Sequence, residues 1–261
     1  MNEFEEIYIR SHFVCGVGIA YSTFSDILPG WTEAPESSAS KATASAVSDP
    51  ASATHSGLPF PRSSRSRFTV IIDAGHGGED PGAVVGQIEE KTLNLSISNK
   101  LYAFASLFDV DIVMTRRDDR MLYDEGQETR KKSHDLYNRL KFTEKYTDSM
   151  FISIHQNKFP LENCRGLQVF YALKNENSKV LAEHVQNAAL LLQPDNHRVV
   201  KPGTNIYLLE NSTVPSVIVE CGFISNPEEA QQLCDDNYTD KLAFAIYCGI
   251  AAYLEDVKIE G

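Results

Sequence analysis

Five short runs rich in β-branched and other apolar residues constrain this chain more than any other feature: Phe68 to Asp73, Asp111 to Thr115, Phe151 to His155, Leu167 to Tyr171 and Ser216 to Glu220. Several lack the polar alternation of a half-solvated strand, so they predict strands buried on both faces. Helical patterns between them can supply the cover: Leu93, Ile97, Leu101, Phe104 and Phe108 fall on one stripe, and Val180, Leu181, Val185, Ala188 and Leu192 on another. Thr239 to Leu254 predicts a strongly apolar closing helix. Strands alternating with helices imply an α/β layered domain with a largely parallel sheet, whose functional groups gather at the carboxyl ends of the strands.

That domain is expected over residues 67–256. Before it, residues 29–66 are rich in Ser, Ala, Thr and Pro, with too few large apolar groups to bury, and predict a disordered linker. Residues 1–28 hold an apolar segment, Phe13 to Tyr21, that resembles an export signal or anchor, although Glu3, Glu5 and Glu6 stand where such a signal carries positive charge. With 36 acidic against 24 basic residues, the net charge of -12 argues against nucleic acid as a partner. The five cysteines are an odd number without CxxC spacing, so they write neither a zinc knuckle nor a disulfide framework.

Three polar residues stand at predicted strand ends: His76 in the glycine-rich stretch Asp73-Ala-Gly-His-Gly-Gly-Glu-Asp80, His155 and Glu220. A fourth, Glu90, opens the first predicted helix. Gly75, Gly77 and Gly78 leave the His76 ring uncrowded and permit backbone turns closed to other residues. Two imidazoles and a carboxylate match the donors of a catalytic zinc site with one position open, and a second carboxylate could then move protons. Each has a plainer reading. A histidine at a strand end is commonly structural, and a glutamate in a first helical turn is favoured by the helix dipole. Glu220 is harder to dismiss, because a carboxylate ending a strand as apolar as Val217 to Val219 is costly to bury without a partner or a task. Cys221 beside it admits a thiol nucleophile with His155 or His76 as base, against which stands the usual inertness of a core cysteine. His12, His134, His184 and His197 read as solvated.

Together, Asp73 to Ala83, Glu90-Lys91, Thr115-Arg116, Ser153-Ile-His-Gln-Asn157 and Glu220-Cys-Gly-Phe-Ile-Ser-Asn-Pro-Glu-Glu229 resemble the zinc-dependent N-acetylmuramoyl-L-alanine amidases of the amidase 3 family, in order and over residues 67–255. The resemblance implies a three-layer αβα domain around a mostly parallel sheet. It also implies hydrolysis of the amide between N-acetylmuramic acid and L-alanine in peptidoglycan, outside the cytoplasm in the cell envelope or spore cortex. It places zinc on His76, Glu90 and His155 and makes Glu220 the catalytic carboxylate. Glu89 adjoins, but the family's Glu-Lys pair falls on Glu90-Lys91. Ser153 to Asn157, Gly166 to Tyr171, Tyr207-Leu-Leu209 and the cysteine of Glu220-Cys-Gly-Phe223 resemble the sporulation and germination branch, the CwlD-type amidases, which implies spore-cortex maturation toward muramic δ-lactam.

Only Lys158 to Arg165 separates the His155 strand from the next, too short for the inhibitory helix of some division amidases. Control is therefore expected in expression, location or a regulatory protein partner, with the protein monomeric and a membrane tether left open. Asn157 is a candidate for orienting a ligand or substrate. Nine Lys or Arg between Arg116 and Lys145 could meet stem-peptide carboxylates or simply form a solvated face with Asp118, Asp119, Glu125 and Glu128. The rival from another class is an inactive peptidoglycan-binding or scaffold module of the same fold.

Overall fold

A computed structural model describes residues 68–106 and 111–259. The expected N-terminal apolar segment, the linker, His12 and Phe108 lie outside the described residues. Eight strands and six helices follow in the order β1 (Thr69–Ala74), β2 (Val84–Val85), β3 (Ile88–Glu89), α1 (Glu90–Ala105), β4 (Asp111–Met114), α2 (Lys131–Thr143), β5 (Ser149–Asn157), β6 (Gln168–Tyr171), α3 (Asn177–Ala189), β7 (Lys201–Pro202), α4 (Tyr207–Asn211), β8 (Ser216–Phe223), α5 (Pro227–Leu233) and α6 (Asp236–Ile259). All five predicted strands and all three predicted helices are present.

The main sheet runs β4-β1-β5-β8-β6-β7. Its pairings are parallel except where β6 meets β8 antiparallel. Helices cover both faces, giving the expected three-layer α/β domain. On one face Ile71 and Phe151 pack against Leu136 and Leu140 of α2 and Leu208 of α4. On the other, α6 lies between α1 and α3 and presents fully buried Leu242, Ala243, Ala245, Ile246 and Ile250. Ile71, Ile72, Ile152 and Ile154 are wholly buried at the sheet centre, each worth about 1.5–3 kcal/mol of burial.

The α1 stripe holds for Leu93, Ile97, Leu101 and Phe104, all buried. The α3 stripe needs a correction. Val180 is 40% exposed, and the buried face runs through Leu181, Ala182, Val185, Ala188 and Ala189, one helical step around. His184 also departs from the solvated reading, since its Nε2 lies 2.8 Å from Asp256 and ties α3 to α6.

Candidate metal centre

The parallel register sets Asp73 beside Ser153 and Ala74 beside Ile154, and on the other side of β5 it sets His155 beside Glu220. The loop after β1, the end of β5 and the end of β8 thus converge at one edge of the sheet. Glu90 reaches the same place from the start of α1, whose first turn is pinned when the Glu90 and Lys91 N–H groups donate to Ala83 and Pro81. Donor atoms of His76, Glu90 and His155 all lie within 4.8 Å of one another.

Glu90 joins the group. Its Oε1 is 2.9 Å from His155 Nδ1 and accepts from the Gln156 N–H at 3.1 Å and from Asn94 Nδ2 at 3.3 Å. Its Oε2 accepts from the Ala83 N–H at 2.7 Å and lies 3.3 Å from His76 Nε2. A register shift in β5 just past His155 lets successive residues, a side chain and then a backbone N–H, address one oxygen. Burial raises the Glu90 carboxyl, but the His155 and His76 imidazoles together more than offset it and hold it far below the usual range. For His76, burial lowers the pKa, but Glu90 and Asp80 raise it by more. Asp80 Oδ2 sits 2.7 Å from His76 Nδ1, which fixes the ring and leaves Nε2 facing Glu90.

Two glycines are needed for close approach. A Cβ on Gly75 would lie 2.2 Å from His155 Nε2, and one on Gly82 would lie 2.5 Å from Glu90 Oε2 and 2.6 Å from His76 Cδ2. The role expected of Gly75 is thereby revised: it makes room for the His155 ring, while the left-handed turn falls on His76 itself, at φ 60°.

Glu220 shares the sheet face of His155, its register partner. Its Oε2 is buried without a hydrogen-bond partner. Burial, reinforced by the Glu90 charge and opposed by His155 and His76, pushes its carboxyl up to about 7. An orphaned buried carboxylate oxygen beside two imidazoles and a carboxylate is the environment a cation would satisfy. The donor chemistry, nitrogen and oxygen with two neutral-capable rings, suits zinc.

Cys221 points to the opposite face from Glu220. It is fully buried, and burial followed by the Glu220 charge drives its thiol well above the ordinary value. The thiol-nucleophile reading is corrected on this ground. Cys221→Ala is expected to keep amidase turnover within about twofold while costing about 1 kcal/mol of stability, measured by muropeptide assay and urea unfolding.

Sequence reasoning missed the residues that hold the donors. Asn94, one turn along α1 from Glu90, donates to the Gly75 carbonyl as well as to Glu90 and accepts from Gln156 Nε2. The i, i+4 spacing from Glu90 was the available signal. Gln156, next to the Asn157 expected to orient a ligand or substrate, supplies the backbone N–H that holds Glu90 Oε1, and the Asn157 carbonyl accepts from the Ile224 N–H. Asp80 was visible only as part of the glycine-rich stretch.

Residues 70–252 match the model of a family described as N-acetylmuramoyl-L-alanine amidase, Amidase_3. A germination-specific N-acetylmuramoyl-L-alanine amidase of Bacillus subtilis is 34% identical over 189 residues, which cover 72% of this chain and 80% of that protein. The structure of the CwlD amidase from Clostridioides difficile in complex with the GerS lipoprotein matches with 40% identity and a TM-score of 0.68, over 72% of this chain and 98% of that one. An N-acetylmuramoyl-L-alanine amidase from Clostridium difficile 630 matches with 30% identity and a TM-score of 0.64, over 73% and 98%. With its αβα layers, its strand-end His and Glu residues and this match, the chain belongs to the Amidase_3 family of N-acetylmuramoyl-L-alanine amidases.

Proposed function

We propose that this chain is a zinc-dependent amidase that cleaves between N-acetylmuramic acid and L-alanine of spore-cortex peptidoglycan, with His76, Glu90 and His155 holding the ion and Glu220 moving the protons. The observation that carries the reading is the convergence of His76, Glu90 and His155 donors within 4.8 Å, beside a buried carboxylate with an unpartnered oxygen. The similar proteins named for germination and for CwlD support the cortex as substrate. Removing the stem peptide there frees the lactyl carboxyl that δ-lactam closure requires.

A zinc ion held by this set would supply the Lewis acidity that lowers the pKa of a water from about 15.7 to roughly 7 and polarises the carbonyl oxygen. Asp80 and Asn94 keep the His76 ring and the Glu90 carboxyl oriented. Glu220, raised by burial to about 7, is poised between its two protonation states. As base it takes a proton from the attacking water, and as acid it returns that proton to the departing L-alanine nitrogen. The His76 and His155 side chains remain 19% and 18% exposed, so a polymer can reach the centre from solvent.

We further place the protein outside the cytoplasm and under the control of a regulatory protein. A lipoprotein accompanies the similar CwlD amidase in its solved structure. No helix among the described residues is long and apolar enough to cross a membrane. If the purified protein with zinc cleaves cortex glycan fully on its own, the regulatory partner is refuted.

The main reading is tested by dialysing the full chain against a chelator and assaying muropeptide release. Turnover is expected to vanish and to return on adding zinc. Turnover that persists in chelator refutes the metal, and glycan binding without turnover under any condition favours the inactive module.

A further inference from the structure

We propose that Arg116 and Arg139 are positioning residues, a pair of buried guanidiniums that clamp the loop carrying His76 and set its spacing to Glu90. Both are 1% exposed. Arg116 Nε donates to the Ala74 carbonyl at 2.8 Å, and its Nη2 donates to the carbonyls of both Gly75 and Lys91 at 3.0 Å. Arg139 Nη1 donates to Ala74 at 2.8 Å and Nη2 to His76 at 2.7 Å. Three consecutive carbonyls, 74 to 76, thus accept from the two guanidiniums, with Asn94 Nδ2 also donating to that of Gly75.

The Nη2 of Arg116 carries the argument furthest. One nitrogen joins the residue before His76 to the residue after Glu90, so with Asn94, which bridges Gly75 and Glu90, it sets the distance between two donor-bearing segments that a loop and a hairpin separate in the chain. His76 meanwhile holds a left-handed backbone at φ 60°, which costs a residue with a Cβ free energy that its surroundings must supply. The clamp is part of that supply. Arg139 is paired with Asp73 and Asp135, whereas the Arg116 fork is spent on carbonyls, and burial followed by Arg139 pulls the Arg116 pKa down, so that buried charge is a poor way to gain stability. Planar forks that direct several N–H groups at fixed angles are instead suited to holding geometry, which a lysine ammonium cannot reproduce.

The inference rests on the metal reading above, and its test separates the two. Zinc affinity of the purified full chain is measured by competition with a chromogenic chelator, Co2+ uptake by visible absorption, and metal-free folding by urea. Arg116→Lys is expected to unfold cooperatively, to bind zinc about 10- to 100-fold more weakly, and to show a shifted Co2+ spectrum. Arg139→Lys retains a charge opposite Asp73 and is expected to act in the same direction, so the test survives failure of one variant to fold. Unchanged zinc affinity and Co2+ spectrum in the folded variants, with only a lower urea midpoint, overturn the clamp and leave the metal reading intact. A parent protein that takes up neither ion overturns the metal reading and the clamp with it.

Discussion

Glu220→Gln is expected to lower amide hydrolysis by about 10²–10⁴-fold while leaving zinc affinity within a few-fold of the parent. Glutamine keeps the shape of the side chain but can neither accept nor return a proton. Stability should move the other way. The Glu220 Oε2 is buried without a hydrogen-bond partner, so the substitution breaks no bond there and removes a charge that burial disfavours. The sign follows from a carboxyl raised from 4.5 to about 7: the folded state binds its proton more tightly than the unfolded one, so the parent loses stability as pH rises between those values. Zinc-free Glu220→Gln is therefore expected to equal the parent below about pH 4.5 and to exceed it above pH 7 by up to about 3 kcal/mol, read from urea midpoints. Turnover near the parental value would remove Glu220 from the chemistry, and a variant less stable at pH 8 would show that its carboxylate has a structural partner.

This exchange of stability for function explains why Glu220 stood out in the sequence. A charged residue closing Val217-Ile-Val219 breaks the local pattern, and such a break survives folding only where something uses it. His76 and His155 were visible for a similar reason, standing at strand ends that an apolar run defines. The fold was legible because strands buried on both faces leave an unbroken apolar signature. Cys221 could also have been resolved, since period-two alternation sends it to the face opposite Glu220.

Other parts left no local trace. Arg116 and Arg139 sit in a stretch of nine basic residues that reads as a solvated surface or a carboxylate-binding one. Lys131, Lys141 and Arg120 do pair with acids at or near the surface, whereas these two turn inward onto the carbonyls of residues 74–76 and 91, 25 to 65 positions away. Gln156 and Asn94 are likewise ordinary polar letters whose roles appear only once β5 and α1 are packed. Val180 shows the converse: an apolar residue beside an apolar stripe can fall just off it, and one helical step of 100° decides exposure.

Asp73→Asn is expected to destabilise the protein by about 3–5 kcal/mol at pH 7, seen as a lower urea midpoint with an unchanged slope. Asp73 is fully buried at the end of β1, accepting from Thr115 Oγ1 and Ser153 Oγ at 2.5 Å and pairing with Arg139 Nη1. All three neighbours are donors. An asparagine presents only one acceptor oxygen to them, turns an NH2 donor toward the rest, and leaves Arg139 with Asp135 as its remaining carboxylate partner. Burial raises the Asp73 carboxyl, but the Arg139 charge and the two hydroxyls hold it below its ordinary 3.8. The stability it contributes is thus fully present above pH 3.8 and is lost as pH falls through the lower folded-state value, so the parent should unfold more steeply in acid than the variant. A loss under 1 kcal/mol with matching acid profiles would refute the role. Because the same Arg139 fork reaches the His76 carbonyl, the fraction of Asp73→Asn that remains folded should also bind zinc more weakly, coupling the cost in the core to the geometry of the site above it.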